Sequence, residues 1–320
     1  VILIKRQAPD LAGEEQLIAL FGVGLIGSAV ARAIMQEGVR SAITLPFSWK
    51  DADCREADLA SLSETMIRMM AGSVRHVEVV WTAGRAGFAA GWADVEEELA
   101  AFESVNRLCV QLRDALPVAR HRIHIMSSAG GLFEGQRFVG EQAVPAPRRP
   151  YGHLKLEQEQ RANRISAGII PFIYRPSSVY GVGVFGGRAG LIATLIQNAK
   201  GYRPSRIVGR LDTIRDYVLV NDIGKFVVQC INKTAERPES FLLASGRPTA
   251  MCEVLDIVGK VIGRPLYLKL DTAPSNASHF SYRQSALPDN WFPTDLETGI
   301  KQVARQLASS FETRSRGHLP

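Results

Sequence analysis

Hydrophobic and polar positions along this chain alternate between two periods. An apolar run at 16–21 has strand character and ends in Gly22-Val-Gly-Leu-Ile-Gly27. A helical pattern follows over 25–37 and stops at Gly38. Residues 41–47 predict a second strand and 61–71 a helix. The Val-rich 76–82 predicts a buried strand, 94–116 a long helix stopped by Pro117, and 122–126 a strand ending in Ser127-Ser128. A Pro-rich loop at 145–150 feeds a helix over 151–165, and 169–174 is a further strand. Strands alternating with helices imply an α/β fold: a doubly wound parallel sheet of Rossmann type with right-handed crossovers.

After Pro176 the pattern loosens. Helices at 191–199 and 222–232 flank a loop-rich stretch. Residues 241–244 predict a strand, and 251–262 a helix with Gly263 beyond it. The expected division is a Rossmann domain over 1–175, with 215–246 returning to it, and a smaller α/β substrate-binding lobe drawn mainly from 176–320. Residues 312–320 read as a polar tail. The chain shows no internal repeat and no low-complexity segment.

Composition narrows the function classes. With 46% hydrophobic and 22% charged residues over 320 positions, the chain has the make-up of a soluble globular protein. The net charge of +6 comes mostly from arginine, the side chain suited to a bidentate grip on phosphate. No basic run or aromatic-interleaved patch marks a nucleic-acid surface. Cys54, Cys109, Cys230 and Cys252 lie far apart, and the histidines form no metal-spaced cluster, so no metal site is expected. Free thiols fit a reducing cytoplasm. The uncharged stretch 17–31 behind Lys5 and Arg6 imitates a secretion signal. Asp10, Glu14 and Glu15 interrupt it, its glycines have meaningful spacing, and no apolar segment is long enough to cross a membrane.

Three local patterns carry chemistry. In Gly22-x-Gly24-x-x-Gly27, Gly22 permits the tight turn, Gly24 lets the backbone approach a pyrophosphate, and Gly27 lets helix and strand pack closely. The helix N-terminus then faces the phosphates. The acid that usually follows about 20 residues on, to hold the ribose hydroxyls, is missing. That place reads Leu45-Pro-Phe-Ser-Trp-Lys50, where Ser48 and Lys50 would suit a 2′-phosphate, so NAD and NADP both stay open.

Tyr151 and Lys155 lie one helical turn apart on one face. A phenol, with an ordinary pKa of about 10, is a poor base at neutral pH, and a neighbouring ammonium favours the phenolate. Ser127 and Ser128 end a strand 23 residues before Tyr151, where a hydroxyl can bind the oxygen whose proton the tyrosine removes. Taken singly, a surface Tyr–Lys pair and a strand-end serine turn are ordinary features. His153 lies between Tyr151 and Lys155 but faces elsewhere on the helix.

Together these elements resemble the short-chain dehydrogenase/reductase superfamily. Further residues resemble its extended branch, the NAD-dependent epimerase/dehydratase family that includes UDP-glucose 4-epimerase-like enzymes. Pro145 and Pro147 before Tyr151-Gly152, Lys155 and Glu159 are similar to one signature. Tyr174-Arg-Pro-Ser-Ser-Val-Tyr-Gly181 is similar to a second, and Arg215-Asp-Tyr-Val-Leu-Val-Asn-Asp222-Ile223 to a third. Ser245-Gly-Arg, Gly263-Arg-Pro, Trp291-Phe-Pro and Leu296-Glu-Thr-Gly-Ile300 continue the resemblance, which spans about 17–307.

The resemblance implies roles. Ser128, Tyr151, Lys155 and Asn106 would be catalytic, Asn106 as a structural and proton-relay group, with Ser127 an alternative hydroxyl to Ser128. The dinucleotide would contact Gly22, Gly24, Leu25, Ile26, Gly27, Thr82, Ala83, Gly84, Ser127, Tyr151, Lys155, Pro176 and Ser177, with Asp58 and Leu59 over the adenine. Ser128, Ser178, Arg188, Arg215 and Arg283 would bind substrate, Arg215 gripping a diphosphate. The implied activity is that of a nucleotide-sugar epimerase, an isomerase using NAD to oxidise a sugar hydroxyl transiently and re-reduce it on the other face. The partner would be a nucleotide-diphosphate sugar, and the assembly a homodimer through the helices at 94–116 and 151–165. Departures are visible. The second and fourth strands stand closer in sequence than is usual, which implies a trimmed helix and strand. Ala129-Gly130 follows Ser128 where a dehydratase has Asp-Glu, and Ser178 stands where the family often has Asn. A keto-sugar reductase, a sugar-nucleotide dehydratase and a non-catalytic dinucleotide sensor are the alternatives.

Overall fold

The computed structural model describes residues 1–7, 14–36, 38–70, 74–183, 190–233, 236–271 and 278–316. Strand β1 (Ile2–Gln7) precedes β2 (Glu15–Phe21), whose seven residues are all buried, as a central strand requires. Helix α1 (Leu25–Ile34) starts at the glycine turn. Strand β3 (Val39–Thr44) leads to α2 (Ala52–Met69), which begins nine residues earlier than the periodicity predicts. Its start is set by Asp51, whose carboxylate accepts from the Cys54 N–H at 2.8 Å, an N-cap bond. Then come β4 (Val74–Trp81), α3 (Trp92–Ala115), β5 (Arg120–Met126), the one-turn α4 (Ala129–Leu132), α5 (Pro150–Asn163) and β6 (Ile169–Pro176).

The central sheet runs β6-β5-β4-β2-β1-β3 from this part of the chain. Strands β2, β4, β5 and β6 pair in parallel, but β1 is antiparallel to both of its neighbours. The sequence reading missed β1. The link between β1 and β2 is too short for a crossover, so the two strands can only lie antiparallel. With a helix and a strand trimmed between β3 and β4, β1 fills the place beside β2.

The second lobe starts with β7 (Ser178–Tyr180), α6 (Leu191–Lys200), β8 (Ser205–Val208), β9 (Ile214–Arg215) and β10 (Tyr217–Leu219). Helix α7 (Val220–Asn232) and β11 (Glu239–Leu243) then rejoin the large sheet, β11 pairing parallel to β6. Strand β12 (Thr249–Ala250), α8 (Met251–Ile262), β13 (Leu268–Asp271) and α9 (Leu296–Arg316) complete the lobe. Helix α9 includes 312–316, so the expected polar tail is helical up to there. Helices α1 and α7 cover one sheet face around Val30, Ile34, Phe226 and Ile231, and α2 and α3 cover the other around Leu62, Met66, Phe102 and Val105. The smaller lobe has its own core, including Leu195, Val254 and Val303. Among the described residues, no helix is long and apolar enough to cross a membrane.

A polar cluster sits inside this apolar frame. Glu78 of β4 takes Arg122 Nε from β5 at 3.0 Å on both oxygens and His124 Nε2 at 2.9 Å, while His124 Nδ1 meets the Tyr174 hydroxyl at 2.8 Å. Arg122 also donates to the Ile231 and Lys233 carbonyls, and Gln16 donates to Ile231 O at 3.0 Å, so the open C-terminal carbonyls of α7 are satisfied by the sheet. Burial alone would raise the Glu78 carboxyl, but Arg122 and His124 overcome it and hold it below its ordinary value. Burial pulls His124 below the usual histidine value. Glu78→Gln should leave the Arg122 charge buried without its partner and cost about 3–5 kcal/mol, read from the urea midpoint. Because the folded carboxyl is depressed, its contribution is present at neutral pH and is lost as pH falls through that depressed value, and acid denaturation should show this loss in the wild type but not in the variant.

Candidate active site

The glycine turn forms where β2 ends. Gly22 has φ +87°, and a Cβ on it would lie 2.4 Å from the Ala83 backbone. A Cβ on Gly27 would lie 1.9 Å from the Gly22 carbonyl. Thr82 Oγ1 donates to that same carbonyl at 2.6 Å and holds the turn against the end of β4. Gly24, at the N-cap of α1, is different. A Cβ there would meet nothing within 4 Å, and no side chain caps the helix. The turn is thus packed shut beneath and open above, with helix N–H groups toward the opening. The opening belongs to a cavity of about 610 Å³ lined by Gly22, Gly24, Trp49, Lys50, residues 82–90 and the first turns of α3. A dinucleotide's phosphates fit this cradle in charge and in shape.

A second cavity of about 500 Å³ adjoins it, with Phe88 lining both. Ile26, Ser127, Ser128, Tyr151, Pro176, Ser177 and Ser178 line its sheet side, and Tyr180, Ile207, Arg215, Tyr217, Phe280 and Tyr282 its other side. Tyr151 is placed by backbone contact: Gly131 of α4 lies under its ring, and a Cβ on Gly152 would lie 2.3 Å from the Gly131 carbonyl. Ser128 Oγ accepts from the Gly131 N–H at 3.1 Å and so caps α4, whereas the buried Ser127 Oγ has no hydrogen-bond partner. Both residues line the cavity.

Electrostatics separates the four tyrosines in this cavity. Burial pushes the Tyr217 phenol up to about 12, and pushes Tyr180 and Tyr282 higher still. They are neutral donors at physiological pH. Tyr151 is only half-buried and has an ammonium beside it, the Lys155 Nζ at 5.9 Å from the ring centroid. Of the four, Tyr151 is the one that is not buried. Arg215 stacks on Phe280 at 4.4 Å and donates to the Ile214 and Ser278 carbonyls. Burial pushes the Asp216 carboxyl up, against hydrogen bonds from Ser177 Oγ and from Ser245 N and Oγ that pull it down.

Several motif residues are braces. Arg175 of β6 makes a two-pronged bond to Glu159 of α5 at 2.9 and 2.6 Å. Asp216 ties the end of β6 to the end of β11, and Asp222 accepts from Thr294 N and Oγ1. His153 is exposed and faces Trp92, 5.6 Å away, turned from Tyr151.

Among the described residues, seven expected site residues line neither cavity: Gly27, Lys155 and five that follow. Asp58 and Leu59, expected over the adenine, lie within α2; Leu59 is in the core, and the Asp58 carboxylate accepts from Ser48 N and Oγ at 2.8 Å. Asn106 is eight residues past the cavity-lining Glu98, about 12 Å along α3, and lines a different groove with Arg161 and Arg164. Arg283 is exposed and donates to the Phe138 carbonyl. Arg188 lies outside the described residues. Leu25 packs beside Gly183 at the base of α1 rather than in either cavity lining.

Sequence reasoning missed Phe88, Arg210, Thr213 and Glu98. Phe88 sits in a glycine- and alanine-rich loop with no pattern to mark it. Glu98 carries a signal, because it continues the buried stripe Val95, Phe102 and Val105 at helical spacing while Glu96 and Glu97 are exposed.

The two inner glycines should respond differently to a methyl group. Gly24→Ala should fold with stability within about 0.5 kcal/mol of wild type yet weaken dinucleotide binding about tenfold or more, followed by tryptophan fluorescence. Gly27→Ala should lower stability by about 1–3 kcal/mol in thermal melts, because its Cβ would collide with the Gly22 carbonyl and the Thr82 hydroxyl that holds it.

Comparison with known proteins places this geometry. No curated relative matches the sequence. Solved structures do share the fold. The UDP-glucose 4-epimerase of Thermotoga maritima, solved with UDP-glucose, is 19% identical with TM-score 0.71, covering 92% of this chain and 99% of that one. The UDP-glucose 4-epimerase of Thermus thermophilus, solved with NAD, is 19% identical with TM-score 0.68, covering 91% and 98%. The UDP-glucuronic acid 4-epimerase of Bacillus cereus, solved with UDP-glucuronic acid and NAD, is 17% identical with TM-score 0.65, covering 91% and 99%. The family model described as "NAD dependent epimerase/dehydratase family" matches residues 18–244, more than two thirds of the chain. With the glycine cradle, the Tyr151–Lys155 pair and that match in hand, the chain belongs to the NAD-dependent epimerase/dehydratase family.

Proposed function

We propose that this protein is a nucleotide-sugar epimerase that uses NAD. The observation that carries the reading is the placement of Tyr151, with Lys155 behind it and two serine hydroxyls near it, where the glycine-cradle cavity meets a second cavity of sugar-nucleotide size. When bound, the nicotinamide supplies a two-electron acceptor and donor at one carbon. The chain's own residues do the rest. Gly22, Gly24 and the α1 N-terminus hold the dinucleotide phosphates, and Lys155, Pro176 and Ser177 flank the reacting end. Ser127 or Ser128 binds the sugar oxygen, and Tyr151 takes its proton and later returns it. Arg215 faces the substrate's diphosphate, and the apolar walls of Ile207 and Phe280 exclude water.

The solved relatives named above act on, or are bound to, UDP-sugars, which supports this substrate class. Two further points favour an epimerase over a dehydratase. Ala129 and Gly130 follow Ser128, and the one carboxylate among the described residues lining the substrate cavity, Asp216, is held by Ser177 and Ser245. A keto-sugar reductase is the second reading. It is favoured by Lys50 in the dinucleotide cavity and by Asp58 being engaged with Ser48, which leaves a 2′-phosphate unopposed. Free cysteines at 54, 109, 230 and 252 support a cytoplasmic setting. A homodimer through the outer faces of α3 and α5 is part of the proposal. Those faces carry the Arg161–Glu103 and Arg161–Glu157 ion pairs and, at the start of α3, the exposed Trp92 against His153.

Tyr151→Phe should lower turnover of the cognate sugar nucleotide by about 100-fold or more while dinucleotide binding is retained. A Phe variant with near wild-type rate would refute the mechanism. Light scattering at micromolar concentration should give twice the 35.0 kDa chain mass, and a monomer mass would remove the dimer from the proposal.

A further inference from the structure

The Tyr151–Lys155 pair has a third member. Glu98 is only 9% exposed and lies on the inner face of α3. Its Oε1 accepts from Lys155 Nζ at 3.2 Å and from Gln158 Nε2 at 3.3 Å. Its Oε2 accepts from the backbone N–H groups of Arg85 and Ala86 at 3.1 and 3.2 Å. Lys155, itself 5% exposed, completes its set by donating to Gln158 Oε1 at 3.0 Å. A buried carboxylate survives only where donors and an opposite charge meet it, and here all four donors are supplied by α5 and one loop.

That loop spans both cavities. It carries Phe88, whose ring lies 5.6 Å from the Tyr151 ring, with the Arg149 guanidinium 5.1 Å over it. One carboxylate therefore fixes the loop backbone and the ammonium together. We propose that Glu98 is a positioning residue: it aims Lys155, offsets part of the lysine charge that Tyr151 feels, and ties both to the loop at 85–88. This rests on the reading of Tyr151 as the proton acceptor.

Lys155 favours the phenolate, and the Glu98 carboxylate behind it works against that. The other charged groups that line the same cavity as Glu98 are Lys50, Arg85 on the loop, and Asp94 and Glu97 on α3. Arg149 at the start of α5 is paired with Glu134, and Arg215 and Asp216 face Tyr151 from the substrate cavity. Removing the charge at 98 while keeping its size should leave the lysine charge unopposed. With Lys155 Nζ at 3.2 Å from Glu98 and 5.9 Å from the Tyr151 ring centroid, the effect amounts to about one pH unit.

The test is a pH–rate profile on folded variants, with thermal melts as the control for folding. In Glu98→Gln, whose amide oxygen can still accept from the loop, the pH at which kcat rises to its plateau should move down by about one unit. Glu98→Asp keeps the charge with a shorter reach, so the limb should stay at the wild-type pH with a several-fold lower kcat. A second readout needs no turnover: Glu98→Ala should weaken dinucleotide binding about tenfold in fluorescence titration, while Glu98→Gln stays within about threefold. A folded Glu98→Gln with an unmoved limb, or a Glu98→Ala that binds dinucleotide as wild type does, would overturn the assignment. The Tyr151→Phe variant separates the two levels. If it turns over normally, the reading beneath fails; if it is dead and the limb in Glu98→Gln is unmoved, only the role of Glu98 fails.

Discussion

The site depends on a close approach of backbone to backbone at one edge of the sheet. The turn after β2 presses against the end of β4 so tightly that neither Gly22 nor Gly27 has room for a methyl group. Helix α1 is thereby drawn against the sheet with its N-terminus open at Gly24, and the loop after β4 is held directly beside it. Gly224 lets α7 meet the α1 backbone in the same way, where a Cβ would lie 2.7 Å from the Ala29 carbonyl. Small residues here act through what they leave out, since dense packing leaves any added atom to be absorbed by backbone movement.

From that edge the polar contacts run outward. Glu98 joins the β4 loop to α5, Arg175 and Glu159 join α5 to β6, and Asp216 joins β6 to β11. Each bond joins different elements at the C-terminal edge of the strands, where open α/β sheets place their ligands. The family's signature residues thus divide into two kinds. Tyr151 and the serines face the cavity, while Glu159, Asp216 and Asp222 hold the frame that aims them. The Glu78–Arg122 cluster does the same work on the other side, closing the end of α7.

Local patterns were legible where one short segment settles them. The glycine turn, the Tyr151–Lys155 spacing and the strand-end serines each lie within a single turn or strand end, so residue type and period suffice. Most helices and parallel strands followed for the same reason. Asp58 and Leu59 were expected over the adenine, but the Asp51 cap starts α2 early enough to take both into the helix. Asn106 was misread because being on the correct helix says nothing of the position along it, and two turns carry a side chain out of reach.

By itself the sequence determined that a dinucleotide-type turn opens a doubly wound fold and that a tyrosine and a lysine share a helical face, since both follow from spacing within a few residues. Only the tertiary structure decided that β1 runs antiparallel beside β2 in the place of a missing crossover unit. It also decided that the lysine faces the tyrosine through a charge already shared with Glu98, and that residues from 207 to 217 and 280 to 282 wall the cavity that Tyr151 lines. Those outcomes depend on which distant segments meet. Burial then decides the chemistry, because the same glutamate that reads as one of three solvated acids at a helix start becomes, once enclosed, a charge that must find partners.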